Sequence, residues 1–205
     1  MHPPDKSSPP RRGESTHITE LIRQLAQSDP KVREQAAAEV FALGVARAGP
    51  IARAWLTDAD LAACFVIEAA LMPQTTIGVA TFPETFARIR TANASPDLAH
   101  VPPDIDAEEF ELRLGAVRLD VLTTRDPDGT GAIAKFLKKH GEEIQQIEWN
   151  VRNVERATAL VREKIGITPV YPQARIGANQ TRVNFFLVHA AGSNLLIELV
   201  EISSK

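Results

Sequence analysis

Apolar and polar positions change their spacing once along the chain. From Thr16 the spacing is helical: Ile18, Leu21, Ile22, Leu25 and Ala26 form one apolar stripe. A second helix opens at Asp29-Pro30, where aspartate caps free amides and proline fits the first helical position. It runs through the alanine-rich stretch 35–43 and is expected to stop at Gly44. Further helices are predicted over 49–56 and from Thr57-Asp58 to about Met72. Beyond Pro73 strand alternation takes over. Thr75–Ala80 reads as a strand, Pro83 opens a helix with Phe86 and Ile89 on one face, 107–113 is extended and 117–123 is a strand. A helix at 132–139 ends at Gly141. The same order then returns: a strand at 144–151, a helix capped by Asn153, and strands around 168–171, 182–188 and 195–201.

Two β-α-β-β-β units therefore lie about 70–80 residues apart, the signature of an internal duplication. The expected class is α+β: paired βαβββ modules preceded by a small helical subdomain. The Pro-, Ser- and charge-rich residues 1–15 are expected to be a disordered tail. Residues 16–72 form the helical subdomain, and 74–205 hold modules 74–124 and 143–205 with a linker helix at 131–140. The stretch 29–44 resembles one HEAT-type repeat. A solenoid needs about three repeats, so these helices are expected to pack on the rest of the chain.

The 205 residues are 44% hydrophobic and 24% charged, enough apolar material for a packed core. A net charge of −3 and an aromatic content of 5% argue against a nucleic-acid partner. The single cysteine, Cys64, excludes an internal disulfide and any multi-cysteine metal site, and its apolar surroundings read as core. No run of about 18 apolar residues is present, so no membrane span is expected. The N-terminus lacks an apolar leader, and the expected compartment is the cytoplasm.

The segments Ile133-Ala134-Lys135-Phe136-Leu137, Gly141-Glu142 leading into Ile144-Gln145-Gln146-Ile147, Val151 to Ala157, and Leu196 to Glu201 resemble the vicinal-oxygen-chelate superfamily. The likeness runs from about residue 74 to the end. It is nearest to the glyoxalase and methylmalonyl-CoA epimerase branch. It implies two modules curled around a cleft, with a divalent metal held from the first and last strands of each. Carried over by position, those places are Thr76, Asp120, Gln146 and Glu198. The family usually carries histidine at the first and third and glutamate at the others; Glu198 alone is a full match. A threonine hydroxyl is a poor ligand, and none of the five histidines falls at these places. The expectation is a degenerate site with no metal and no cofactor. The alternative is an oxygen-rich set of Asp120, Gln146 and Glu198 that would take Mg or Mn. The epimerase branch carries a catalytic glutamate near the stretch matching 101–106; no residue here is assigned that role.

Strand parity puts Thr76, Arg118, Asp120, Gln146, Glu148, Asn150 and Glu198 on the cleft face, with Ile77, Val79, Leu119, Val121, Ile147, Trp149, Ile197 and Leu199 under the helices. Both faces of the last strand are otherwise apolar, so desolvation should raise the Glu198 carboxyl into the range useful for acid/base work. Glu198 and Glu148 are the candidate catalytic pair. Thr76, Arg118, Asp120, Gln146 and Asn150 are candidate substrate-binding residues. The plain alternative is a closed core with an Arg118–Asp120 ion pair and a Glu198–Gln146 hydrogen bond. Three functions stay open: a glyoxalase/epimerase-like protein that binds a small organic acid or thioester and moves a proton without metal; a metal-dependent isomerase or lyase; and a non-catalytic interaction or ligand-sequestering protein. The expected partner is a small-molecule ligand. Both modules lie on one chain, which leaves monomer and homodimer open.

Overall fold

A computed structural model describes residues 12–68, 72–190 and 193–202. Most of the tail expected at 1–15 lies outside these residues; from Arg12 the chain is already helical. Helix α1 spans Arg12–Gln24 and α2 spans Pro30–Trp55. Asp29 caps α2 by accepting from the Lys31 amide at 2.9 Å.

Helix α2 does not stop at Gly44. The separate helices expected at 29–43 and 49–56 are one, and the HEAT-like segment lies within it. The glycine serves close packing: a Cβ there would sit 2.5 Å from Ile77 Cδ1, inside the sheet. Pro50 is tolerated on the exposed side of the helix. Gly44→Ala is therefore expected to destabilise. Overpacking against fully buried Ile77 costs about 1–3 kcal/mol, against a helix-propensity gain of at most about 1 kcal/mol. A lowered Tm by calorimetry would show it; a raised one would mean that the sheet yields.

The helix expected from residue 58 to Met72 is also corrected. Helix α3 is a single turn, Ala59–Ala62, capped by Asp58. The chain then runs extended, because buried Phe65 bridges to Val151 and the Val66 amide donates to the Asn150 carbonyl at 2.9 Å. Residues 69–71 of that expectation lie outside the described residues.

Strand β1 (Thr75–Ala80), helix α4 (Pro83–Ala92), and strands β2 (Glu108–Leu114) and β3 (Val117–Thr123) follow. Helix α5 (Ala132–His140) leads to strand β4 (Glu143–Val151) and helix α6 (Val154–Leu160), with Asn153 capping the latter. Strands β5 (Arg175–Ile176), β6 (Arg182–Ala190) and β7 (Ser193–Glu201) complete one seven-stranded sheet of order β2-β3-β1-β4-β7-β6-β5. The strand expected at 168–171 does not form. That stretch is irregular, with the Val170 amide donating to the Phe185 carbonyl, and the short edge strand comes later.

The duplication is visible in the pairing. β1 pairs in parallel with β3 and β4 in parallel with β7, while β1 and β4 meet antiparallel at the centre. The outer face carries the apolar set expected from parity. Ile77, Leu119, Val121, Ile147, Trp149 and Ile197 are fully buried, in one core with the buried side of α2. Trp55 of α2 meets Trp149 and Phe186 edge-on at 5.3 and 5.6 Å between ring centroids. The helical region is thus a layer laid over the back of the sheet, which leaves the other face to line the cleft.

Candidate functional site

The inner face of the sheet lines a cavity of about 780 Å³, within the usual range for small-molecule sites. Thr76, Arg118, Asp120, Gln146, Glu148, Asn150 and Glu198 all line it. Pairing explains why. Glu148 lies opposite Glu198 across the parallel β4–β7 ladder, and Thr76 opposite Glu148 across β1–β4. Gly78 faces both Asp120 and Gln146. A Cβ on Gly78 would come within 2.5 Å of Gln146 Cγ, so the glycine makes room for that side chain. A register slip between Gly78 and Val79 leaves Gln145 as an extra residue; such bulges bend a strand.

Gln146 anchors the floor of the cleft. Its amide nitrogen donates to Glu198 Oε2 at 2.6 Å and to Glu148 Oε1 at 3.1 Å. Both Gln146 and Glu198 are only 7% exposed. Glu148 also shares a hydrogen bond with Asp120. Two carboxyls can bond directly only if one keeps its proton, and burial of both favours the protonated form. A fourth carboxyl, Glu109 on β2, joins the set. β2 lies four strands from β7, about 19 Å away on a flat sheet. Yet the charge of Glu109 raises the pKa of Glu198. The curl of the sheet brings the two walls together.

Burial is the main cause of the titration behaviour of all four groups, and mutual repulsion adds to it. Glu109 is pushed up to about 7 by desolvation and by the charge of Asp120. Glu148 is pushed up to about 8 by desolvation and by Glu198, less what its hydrogen bonds from Asp120 and Gln146 return. Asp120 and Glu198 are held well above the ordinary carboxyl range, each by burial first and by neighbouring carboxylates second. Among the described residues none of the four makes an ion pair. Groups coupled this closely titrate as a set.

The Arg118–Asp120 pair does not form. Arg118 instead meets Glu68 at 2.7 Å and donates to the Thr75 carbonyl at 3.2 Å. Glu68 accepts from Gln74, and Gln74 in turn accepts from Asn150 at 2.6 Å. Arg118 and Asn150 are thereby held next along the cleft face from Asp120 and Glu148, with Arg118 engaged by Glu68 rather than by a carboxyl of the set. The Glu198–Gln146 hydrogen bond does form, but beside an open hollow rather than in a closed core.

Glu109 is the site residue that sequence reasoning missed. Its signal is alternation within β2: Phe110 and Leu112 are buried under the helices, so Glu109, Glu111 and Arg113 turn to the cleft. It lies just beyond the stretch 101–106.

The residues at the four family positions do not fit a divalent cation as arranged. Gln146 turns its amide hydrogens, not its oxygen, to the two glutamates, and Asp120 and Glu148 bond to one another. Among the described residues no three His, Cys, Asp or Glu side chains converge as a metal site. No helix among them is long and apolar enough to cross a membrane.

No protein-family model and no curated protein sequence matches the chain. Solved structures do. Methylmalonyl-CoA epimerase from Mycobacterium tuberculosis is 28% identical with a TM-score of 0.51, the match covering 63% of this chain and 87% of that one. A variant of the Streptomyces coelicolor methylmalonyl-CoA epimerase in complex with 2-nitronate-propionyl-CoA is 24% identical with a TM-score of 0.52, covering 63% and 96%. A methylmalonyl-CoA epimerase in complex with methylmalonyl-CoA and NH4+ gives 23%, a TM-score of 0.53, and coverage of 69% and 96%. The chain has a glyoxalase-like fold with an added N-terminal helical region, and its structural neighbours are methylmalonyl-CoA epimerases of the vicinal-oxygen-chelate superfamily.

Proposed function

We propose that the cleft binds a small organic acid or its thioester and moves a proton on the carbon next to the carbonyl, without a metal. The observation that carries this reading is that Glu109 and Glu198, from strands far apart in the sheet, line one hollow together with Asp120 and Glu148. A carbon held between the walls meets a carboxyl on each face. Glu109, pushed up to only about 7, is the base: its carboxylate takes the proton and leaves an enolate. Glu198, whose burial favours the protonated form, returns a proton from the other face, and the configuration at carbon inverts. The reverse reaction, or exchange with solvent, restores the pair. The enolate oxygen needs an electrophile. The Glu148 carboxyl, pushed up to about 8 while it accepts from Asp120, keeps a proton of its own and supplies one, because a carboxyl kept neutral by its apolar setting donates a strong hydrogen bond. Gln146 fixes the direction of both glutamates. Thr76 beside Glu148, and Arg118 and Asn150 next along the face, would meet a substrate carboxylate or the thioester arm. The epimerase neighbours, solved with methylmalonyl-CoA and with 2-nitronate-propionyl-CoA, favour a 2-substituted malonyl or propionyl thioester as substrate.

The test is deuterium incorporation from D2O into the carbon beside the carbonyl, followed by proton NMR on a panel of such acids and their CoA thioesters. The wild type should exchange at least one of them. Glu109→Gln and Glu198→Gln should each slow that exchange about a hundredfold or more, the usual contribution of a positioned acid or base. Unchanged exchange in both variants, or none across the panel with wild type, would sink the reading.

A further inference from the structure

The curled sheet is closed by side chains as well as by strands. Its two edges are β2 and β5. The segment before β2 pairs with it through the Ala99 amide, which donates to the Glu109 carbonyl at 2.9 Å. The next residue, His100, crosses to the turn that follows β5. Its amide donates to Asn179 Oδ1 at 2.9 Å, and its carbonyl accepts from the Asn179 amide at 2.9 Å. A second link lies alongside: Arg175 on β5 meets Asp104 at 2.9 Å. Two segments more than 70 residues apart are thus clasped over the cavity, and both line it.

The clasp is held under opposition. Among the described residues, those other than glycine with positive φ are Ala94, Ser95, Asn179 and Gln180, at 61°, 52°, 50° and 61°. One pair lies where the first segment leaves α4 and the other at the clasp itself. This region of backbone space is disfavoured for residues with a Cβ, although Asn tolerates it best. Its bonds are solvent-exposed, and each such bond contributes little net stability. The arm of the clasp also reaches the site. Arg175 lies over the Tyr171 ring at 4.7 Å, Tyr171 meets Phe185 edge-on at 6.0 Å, and Phe185 pairs with Glu198.

We infer that the His100–Asn179 clasp, with its Arg175–Asp104 ion pair, is a latch: the two segments part together to admit a ligand to the cleft and close behind it. The inference rests on the proposed function only for what passes through, so its test uses neither substrate nor turnover. Hydrogen–deuterium exchange of the full chain reads the latch. Asn179→Ala removes the acceptor and suits the positive φ less well than Asn, so it loosens the clasp in both ways. It should speed exchange about tenfold, the effect of losing one ordinary hydrogen bond, in 96–101 as well as in 177–181. Asp104→Asn should loosen the same two segments together. A reporter thiol reads the gate. With Leu196→Cys on the cavity wall, in a Cys64→Ala background, labelling by the aromatic disulfide reagent DTNB should quicken with Asn179→Ala by a similar factor. Exchange that rises only in the mutated segment would overturn the latch. A labelling rate indifferent to Asn179→Ala would overturn the gate.

Discussion

Glu148→Gln should make the protein more stable at pH 8 and nearly indifferent at pH 4. The sign follows from where the carboxyl holds its proton. In the unfolded chain it ionises at its ordinary value of 4.5, whereas in the fold it does so at about 8. Below the lower value both states are protonated and the group costs nothing. Between the two the folded state binds more protons than the unfolded one, so stability falls as pH rises. Above about 8 the loss is complete. Raising a carboxyl's midpoint by one pH unit corresponds to about 1.4 kcal/mol, but Asp120, Glu109 and Glu198 redistribute charge among themselves when one member is removed. The carboxamide still accepts from Gln146 and offers Asp120 a donor. The expected gain at pH 8 is about 2 kcal/mol, a rise of roughly 4–8 °C in Tm for a chain of this length. Wild type should lose Tm steadily from pH 5 to 8, and the variant should lose less. Parallel curves would mean that Glu148 ionises like a surface carboxyl.

The second large effect lies at the back of the sheet. Trp55→Ala should cost about 3–5 kcal/mol, and roughly 6–20 °C in Tm, although Trp55 is on a helix outside the duplicated strands. Trp55 is 1% exposed and packs on Phe65, Trp149 and Phe186 at once. Its loss leaves an aromatic-lined void between α2 and the sheet, and the site on the far face loses its support. Thermal denaturation measures the cost. A Tm within 2 °C or so of wild type would mean that α2 is an appendage, and would revive a reading in which the helices act on their own.

Much of this was legible along the chain. In β4 polar and apolar residues alternate closely enough to put Gln146 and Glu148 on the face opposite Ile147 and Trp149, and in β7, apolar on both faces, the lone Glu198 marks the face opposite Ile197. Glycine was less transparent. Gly44 looks like a helix stop, and only the position of Ile77, some thirty residues later, makes it a packing residue. The segment at 63–68 is equally good as helix or strand in isolation; its backbone partner at Asn150 decides. Glu109 was overlooked because its importance depends on curl. Alternation in β2 gives the face it points to, but no local pattern says that a sheet-edge residue will approach a strand four places away. The Arg118–Asp120 pairing failed for the same reason: Glu68, fifty residues earlier, competes for the guanidinium.

The most direct test of the central claim is a carboxyl carbon-13 NMR titration of the full chain labelled at Asp and Glu, with Glu109→Gln, Asp120→Asn, Glu148→Gln and Glu198→Gln used for assignment. Four resonances should titrate above the ordinary range, with Glu109 near 7 and Glu148 near 8, and removal of Glu109 should lower the midpoint of Glu198 across the cleft. Four independent midpoints between about 4 and 5, unmoved by one another's removal, would mean that these carboxyls do not share a hollow.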